Sequence, residues 1–87
     1  MEWIPFDALE LISKKKWPRV VVKRFFEINA LGQIRYLDDK SRPPKYRDFF
    51  PVVIAGKKYF MPIIGWSHGN MVTIRIPIDD LIKKFCI

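Results

Sequence analysis

The twelve residues from 26 to 37, FEINALGQIRYL, constrain the fold of this chain more than any other segment. Apolar residues alternate with Glu27 before a turn at residues 29 to 32, whose glycine can take the positive φ that a short loop needs. Apolar residues resume beyond the turn at Ile34 and Leu37. The pattern predicts an antiparallel β-hairpin.

Turn residues and prolines divide the rest of the chain into short segments. Asp7 and Glu10 have the spacing of a helix-capping pair, and Pro18 lies beyond the lysines that would end that helix. The predicted elements are a helix over residues 7 to 16, strands over 19 to 28 and 33 to 37, an exposed loop over 38 to 48, a second hairpin of 49 to 54 and 57 to 63, a fifth strand over 71 to 76 and a helix from Pro77 to Phe85. We therefore expect an α+β fold, in which a small antiparallel sheet of about five strands packs on an N-terminal and a C-terminal helix.

Length and composition indicate one small globular domain over residues 1 to 87, with an aromatic-rich interior. Cys86 is the only cysteine, so a disulfide within the chain and a paired-thiolate metal site are excluded. No apolar run approaches the roughly 20 residues of a membrane span, and the first residues do not resemble a signal peptide. We expect a soluble protein of a reducing cytoplasm, with no membrane partner and no cofactor.

Positive charge is concentrated in the middle of the chain. Residues 14 to 58 hold 13 of the 16 basic residues and four acids, within a formal net charge of +7. Such a block attracts polyanions through Coulomb attraction and counterion release. The alternative, that these residues only solvate an exposed face, stays open with about equal weight.

The hairpin segment also resembles a known module. Residues 26 to 37 align without a gap to the pattern YEVSNLGRVRSL of the nuclease-associated modular DNA-binding motif, which is found beside HNH homing endonucleases. Arg35 is the one basic residue that is identical to the pattern, whereas Gln33 replaces an arginine of the family. Trp3 resembles the tryptophan that begins the module, and residues 81 to 85 are similar to its end. The resemblance implies binding to double-stranded DNA.

Catalysis is not expected. An HNH nuclease uses several histidines to activate water and hold a metal, whereas His68 is the only histidine here. The two adjacent acid pairs, at residues 38 to 39 and 79 to 80, lie where a strand end and a helix start explain them without a metal. No phosphate-binding glycine loop or nucleophile-base arrangement is present.

The candidate binding surface combines basic residues with aromatic ones. Lysine and arginine neutralise phosphates, and tyrosine stacks on bases or sugars. We expect the hairpin and the loop after it to contact duplex DNA, with a two-stranded ribbon fitting the major groove. The candidate residues are Lys23, Arg24, Gln33, Arg35, Tyr36, Lys40, Arg42, Lys45, Tyr46 and Arg47.

A second hypothesis is that the chain binds a protein. A phage-encoded inhibitor or accessory protein could use the same surface to bind an acidic host protein, since aromatic residues ringed by basic ones are common at interfaces. The candidate anchors are Tyr46, Phe49, Phe50 and Trp66. Both hypotheses place the chain in a phage or mobile element and in the bacterial cytoplasm.

Overall fold

The fold is built mainly from short antiparallel strands. The computed structural model describes residues 2–13, 15, 17–21 and 23–86. Within them, ten strands form three sheets and the one α-helix lies at the C-terminal end, so the predicted α+β fold of five strands and two helices is wrong. The elements are β1 (Ile4–Asp7), a 3₁₀ turn (Ala8–Leu11), β2 (Val20–Val21), β3 (Phe25–Ile28), β4 (Ile34–Asp38), β5 (Lys45–Phe49), β6 (Val52–Ile54), β7 (Lys57–Phe60), β8 (Ile63–Ser67), β9 (Asn70–Thr73), β10 (Ile76–Pro77) and α1 (Ile78–Phe85).

Each of the three sheets combines strands that are distant from one another in the sequence. The first sheet has the order β1-β3-β4-β5, the second β10-β7-β6 and the third β2-β8-β9. All pairs are antiparallel. In the first sheet β3 and β4 are the inner strands, and helix α1 packs on β7 and β10 of the second sheet.

The predicted N-terminal helix is wrong. Residues 4 to 7 pair with β3 instead, which places Phe6 beside Phe26 in the core. Asp7 does cap the next segment, because its carboxylate accepts a hydrogen bond from the Leu9 N–H at 2.9 Å, but that segment is a single 3₁₀ turn. Ile12 then returns to an extended conformation. Asp7 is thus both the last residue of β1 and the cap, and a capping signal of about 1 kcal/mol does not determine how far a helix extends beyond it. Residues 14 and 16 of the predicted helix lie outside the described residues.

The predicted strand over residues 19 to 28 is divided between two sheets. Val20 and Val21 pair with β8 of the third sheet, whereas residues 25 to 28 pair with β1 and β4 of the first. The Lys23 N–H still donates to the Ile64 carbonyl at 3.3 Å, so the chain leaves the third sheet just before it enters the first. Val22 lies outside the described residues.

The predicted loop over residues 38 to 48 is also wrong in its second half. Residues 45 to 49 form β5, which pairs with β4 along its whole length, from Asp38 opposite Lys45 to Ile34 opposite Phe49. Prolines and charges suggested a loop, but charged side chains are also typical of an edge strand that does not pair with other chains. Phe49 therefore belongs to the first sheet and not to the second hairpin.

Three sequence predictions are confirmed. Residues 26 to 37 form the β3–β4 hairpin, with Ile28 opposite Ile34. The second hairpin is present as β6–β7, with both arms shorter than predicted because Phe49 belongs to β5 and Ile63 to β8. Its turn residues Ala55 and Gly56 both have positive φ, at 52° and 78°. The closing helix is α1, with acidic residues in its first turn and lysines in its last. The predicted fifth strand is divided between β9 and β10.

The core is dominated by aromatic rings. Phe26 is 1% exposed, and its ring centroid lies 4.9 Å from that of Phe60 and 5.4 Å from that of Phe49. Phe6 stacks on Phe26 at 5.8 Å and on Phe85 of α1 at 5.0 Å. Each such pair contributes about 0.5–1.5 kcal/mol beyond area burial, so this cluster joins the first sheet, the second sheet and the helix.

Asn29 organises the turn of the first hairpin. Its side chain is fully buried, and its Oδ1 accepts hydrogen bonds from the backbone N–H groups of Leu31 and Gln33 at 3.0 and 3.1 Å. Its Nδ2 donates to Oε1 of Gln33 at 2.8 Å. Gly32, with φ of 81°, lies so close to α1 that an added Cβ would sit 2.8 Å from Cγ2 of Ile78. The turn is therefore held by its own hydrogen bonds and packed against the helix.

Asn29→Ala is expected to destabilise the fold by about 2 kcal/mol, because two turn N–H groups lose their acceptor. Gln33→Ala removes only one side-chain hydrogen bond at an exposed residue and is the control, with an expected loss of about 0.5 kcal/mol. Urea unfolding followed by tryptophan fluorescence measures both. Equal losses in the two variants would contradict the role assigned to the asparagine.

Gly65→Ala is expected to destabilise by about 3 kcal/mol, since a Cβ at this position would lie 2.1 Å from the carbonyl oxygen of Val20 and force β2 away from β8. Gly69→Ala is the matched control, because nothing lies within 4 Å of its Cβ position and only its φ of 78° opposes the change. We expect that control to lose about 1 kcal/mol. Thermal unfolding should rank the two variants in this order, and the reverse order would refute the clash.

Candidate nucleic-acid interface

The first sheet has one face in the core and one toward solvent. Side chains alternate along each strand, and residues paired across strands share a face. Because Phe6, Phe26 and Phe49 face the core, their sequence neighbours face outward. The outer face consists of Pro5, Asp7, Phe25, Glu27, Arg35, Leu37, Tyr46 and Asp48.

Arg35 is held in the middle of the outer face. Its Nε donates to Oε1 of Glu27 on the neighbouring strand at 2.7 Å. Its guanidinium carbon lies 4.0 Å from the ring centroid of Trp3 and 4.0 Å from that of Tyr46, so the group is sandwiched between two aromatic rings. The sequence predicts that Arg35 contacts DNA. In the structure its charge is already paired, and it orders Trp3 and Tyr46.

Two other candidate arginines are also paired with carboxylates of the chain. Arg24 binds Asp7 through its Nε and Nη2 atoms, and Nε of Arg47 donates to Oδ2 of Asp38 at 2.5 Å. Burial opposes ionisation of Asp7, but hydrogen bonds from Arg24 and a backbone N–H outweigh it and hold the pKa of Asp7 below its ordinary value. The hydrogen bond from Arg47, followed by that from Ser41, lowers the pKa of Asp38.

The remaining basic candidates surround one end of the sheet. Lys40, Arg42 and Lys45 are exposed, and no carboxylate of a described residue lies within 4 Å of their charged groups. Nζ of Lys23 lies 3.4 Å from the ring centroid of Tyr36. Lys23, Arg24, Tyr36 and Lys40 line one cleft of about 380 Å³, together with Phe25 and Leu37. The structure thus brings most of the predicted basic residues together where β4 ends and β5 begins.

Three large side chains are exposed on the outer face at this same end. Phe25 is 66% exposed, Leu37 50% and Tyr46 49%, and they lie on the adjacent strands β3, β4 and β5. Leu37 is directly opposite Tyr46 and shares the cleft with Phe25. Phe25 and Leu37 were not among the predicted site residues. The alternation of the hairpin could have identified them, because Phe26 faces inward and its neighbours must face outward.

Several other candidates lie elsewhere. Tyr36 and Phe49 face the core, where their rings pack edge-on against Phe26. Gln33 is at the opposite end of β4 and bonds Asn29. Phe50 borders a separate cavity, and Trp66 lies on the third sheet opposite Val20 and Met71. The four anchors proposed for a protein partner therefore do not form one surface, because Tyr46 is on the outer face, Phe49 in the core, Phe50 at the cavity and Trp66 on the third sheet.

The separate cavity lies at the other end of the first sheet. It has a volume of about 290 Å³ and is lined mainly by apolar residues. Phe50 and Leu31, which are 79% and 68% exposed, are at its rim, and Trp3 and Lys58 also line it. These are the two most exposed large apolar side chains of the described residues, so the cavity is accessible.

No metal site is seen in the described part of the chain, where no three histidine, cysteine, aspartate or glutamate side chains lie together. His68 lies in the tight β8–β9 turn with a φ of 53°. Of the helices described, none has the length and apolar character needed to cross a bilayer.

Comparison with known proteins gives no relative. No family model, no curated protein and no solved structure matches this chain. The likeness of residues 26 to 37 to the DNA-binding module of homing endonucleases therefore stays a prediction.

Arg24→Gln is expected to destabilise the fold at pH 6, and this loss of stability should shrink as the pH is lowered toward 2.5. The folded pKa of Asp7 is lowered, so the stability from this pair is complete above the unfolded value of about 3.9 and is lost as the pH falls through the folded value. Urea midpoints at the two pH values test this. Arg47→Gln is the control, because its pair with Asp38 is more exposed and should matter less. If the loss of stability in Arg24→Gln did not depend on pH, the stabilising role of the Asp7–Arg24 pair would be contradicted.

Proposed function

We propose that this chain is a non-catalytic nucleic-acid-binding module. Its contact surface is the basic end of the first sheet, which we define as Lys23, Arg24, Lys40, Arg42, Lys45 and Arg47. The observation that carries the proposal is that Lys23, Arg24 and Lys40 line the same cleft as the exposed side chains of Phe25 and Leu37. Phosphates bind the former and bases or sugars contact the latter.

The local charge supports a polyanion as the partner. The six basic residues of this end are accompanied by three acidic ones, Asp7, Asp38 and Asp39, which leaves a net charge of +3. Two of the arginines are paired with carboxylates, so the attraction comes chiefly from the lysines and Arg42. Such a surface neutralises a few phosphates and binds weakly at physiological salt.

Binding without catalysis is part of the proposal. The single histidine, His68, lies in a turn of the third sheet, whereas the basic end belongs to the first sheet. A general base requires an orienting partner, and no hydrogen bond from His68 to a described side chain is present. The sequence resemblance implies duplex DNA, but the proposal itself rests on contacts to phosphates, which single and double strands both carry.

A second candidate function is binding of an acidic protein. The observation that favours it is the accessible cavity rimmed by Phe50 and Leu31, which is large enough for an apolar side chain and is bordered by Lys58. Affinity capture from nuclease-treated bacterial lysate separates the candidates. A stoichiometric protein that is retained after nuclease treatment and lost in Phe50→Ala supports this second function, whereas loss of all partners with the DNA opposes it.

Fluorescence anisotropy with random-sequence oligonucleotides tests the nucleic-acid proposal. Affinity should fall steeply between 50 and 200 mM salt. The triple variant Lys40→Ala, Arg42→Ala and Lys45→Ala should bind more weakly at every sequence, and its slope of log K against log salt should be smaller by about 2 to 3.

The control for that variant has the same net charge. Lys57→Ala, Lys58→Ala and Lys83→Ala remove three exposed lysines from the second sheet and the helix. This protein should retain nearly all of the affinity. Equal losses in the two triple variants would show that total charge, and not the basic end, determines binding, and no binding at low salt would end the proposal.

A further inference from the structure

The first hairpin lacks the free edges that a groove-binding ribbon needs. Its strands β3 and β4 are the inner strands of a four-stranded sheet, covered on both sides by β1 and β5. Three strand spacings of about 4.8 Å give the sheet a width of roughly 14 Å before side chains are added, whereas the major groove is about 12 Å wide. The turn of the hairpin packs against Ile78 of α1 and does not project. Insertion into a duplex is therefore disfavoured.

The outer face offers what an unpaired base needs. Phe25, Leu37 and Tyr46 present apolar surface on three adjacent strands. Each ring is also positioned by an arginine, since the guanidinium carbon of Arg24 lies 4.8 Å from the centroid of Phe25 and that of Arg35 lies 4.0 Å from that of Tyr46. Paired bases in a duplex are stacked on one another and have no free faces, whereas unpaired bases can stack on protein rings.

We infer that the nucleic acid taken by this site is single-stranded, with bases stacking on Phe25 and Tyr46 across Leu37 and phosphates lying along the basic end. This inference rests on the proposed function and specifies its substrate. Charge complementarity supports the occupant, because Lys23, Arg24 and Lys40 line the cleft that contains Phe25 and Leu37. The basic groups thus lie within reach of a backbone whose bases contact the face.

The test compares three probes of equal length in fluorescence anisotropy at one salt concentration. They are an oligothymidine, a blunt duplex, and a single strand of abasic sites that keeps the phosphates without bases. The oligothymidine should bind at least about tenfold more tightly than the other two. Equal affinity for all three would overturn the inference, because phosphate contacts alone would then account for binding.

Variants of the two rings localise the effect. Phe25→Ala and Tyr46→Ala should each weaken oligothymidine binding by roughly 5- to 100-fold and leave abasic binding nearly unchanged. Tyr46→Phe keeps the ring and should retain binding, which separates stacking from loss of the hydroxyl. Trp66 lies on the third sheet and is 44% exposed, so Trp66→Leu is the matched control and should bind oligothymidine normally.

The outcomes distinguish this inference from the proposed function. If the triple variant of the basic end binds weakly but both ring variants bind like the original chain, the nucleic-acid function stands and the single-strand inference is refuted. If Trp66→Leu loses as much as Phe25→Ala, stacking on this face is refuted as well. If none of the probes binds at low salt, both proposals fail together.

Discussion

The burial of Phe26 is the constraint on which the first sheet depends. Its ring contacts those of Phe6, Phe49 and Phe60, which belong to three other strands and two sheets. Since side chains alternate along a strand, an inward Phe26 requires that Phe25 point outward. Because residues paired across strands share a face, the antiparallel register then determines which side chains of β4 and β5 face the core and which face solvent. A one-residue slip would exchange the faces and put charges in the core, so the position of one ring determines which side chains meet solvent.

Fewer positive charges are free to bind a ligand than the composition of the chain suggests. Three arginines in or beside the first sheet, Arg24, Arg35 and Arg47, each bind a carboxylate from a strand of that sheet. These pairs are partly exposed, so each contributes modestly to stability, but together they fix the orientation of long side chains. What remains for a ligand is mostly lysine, which attracts phosphate as a point charge and carries little base specificity. A partner recognised in this way is selected by its class and not by its sequence.

The sequence predicted the elements whose signals are local. The hairpin of residues 26 to 37, the turn at residues 55 to 56 and the closing helix all follow from turn chemistry or helical spacing. The wrong predictions concern elements that depend on pairing with distant strands. The capping pattern at Asp7 carries no information about the pairing of residues 4 to 7 with β3. The prolines before β5 indicate a loop, because the strand forms only by pairing with β4. The basic candidates could be named from composition. The pairing of Arg35 with Glu27 required the register, and the exposed face required knowing which way Phe26 points.

The edge position of β5 gives its charges a second effect. Lys45, Arg47 and Asp48 lie on the outermost strand of the first sheet, where unpaired backbone groups would otherwise template the addition of strands from other molecules. Charged side chains on such a strand act as gatekeepers against aggregation. The edge strand β6 of the second sheet, in contrast, is made only of valine and isoleucine. Lys45 and Arg47 of the basic end therefore also oppose the addition of a further strand at this edge.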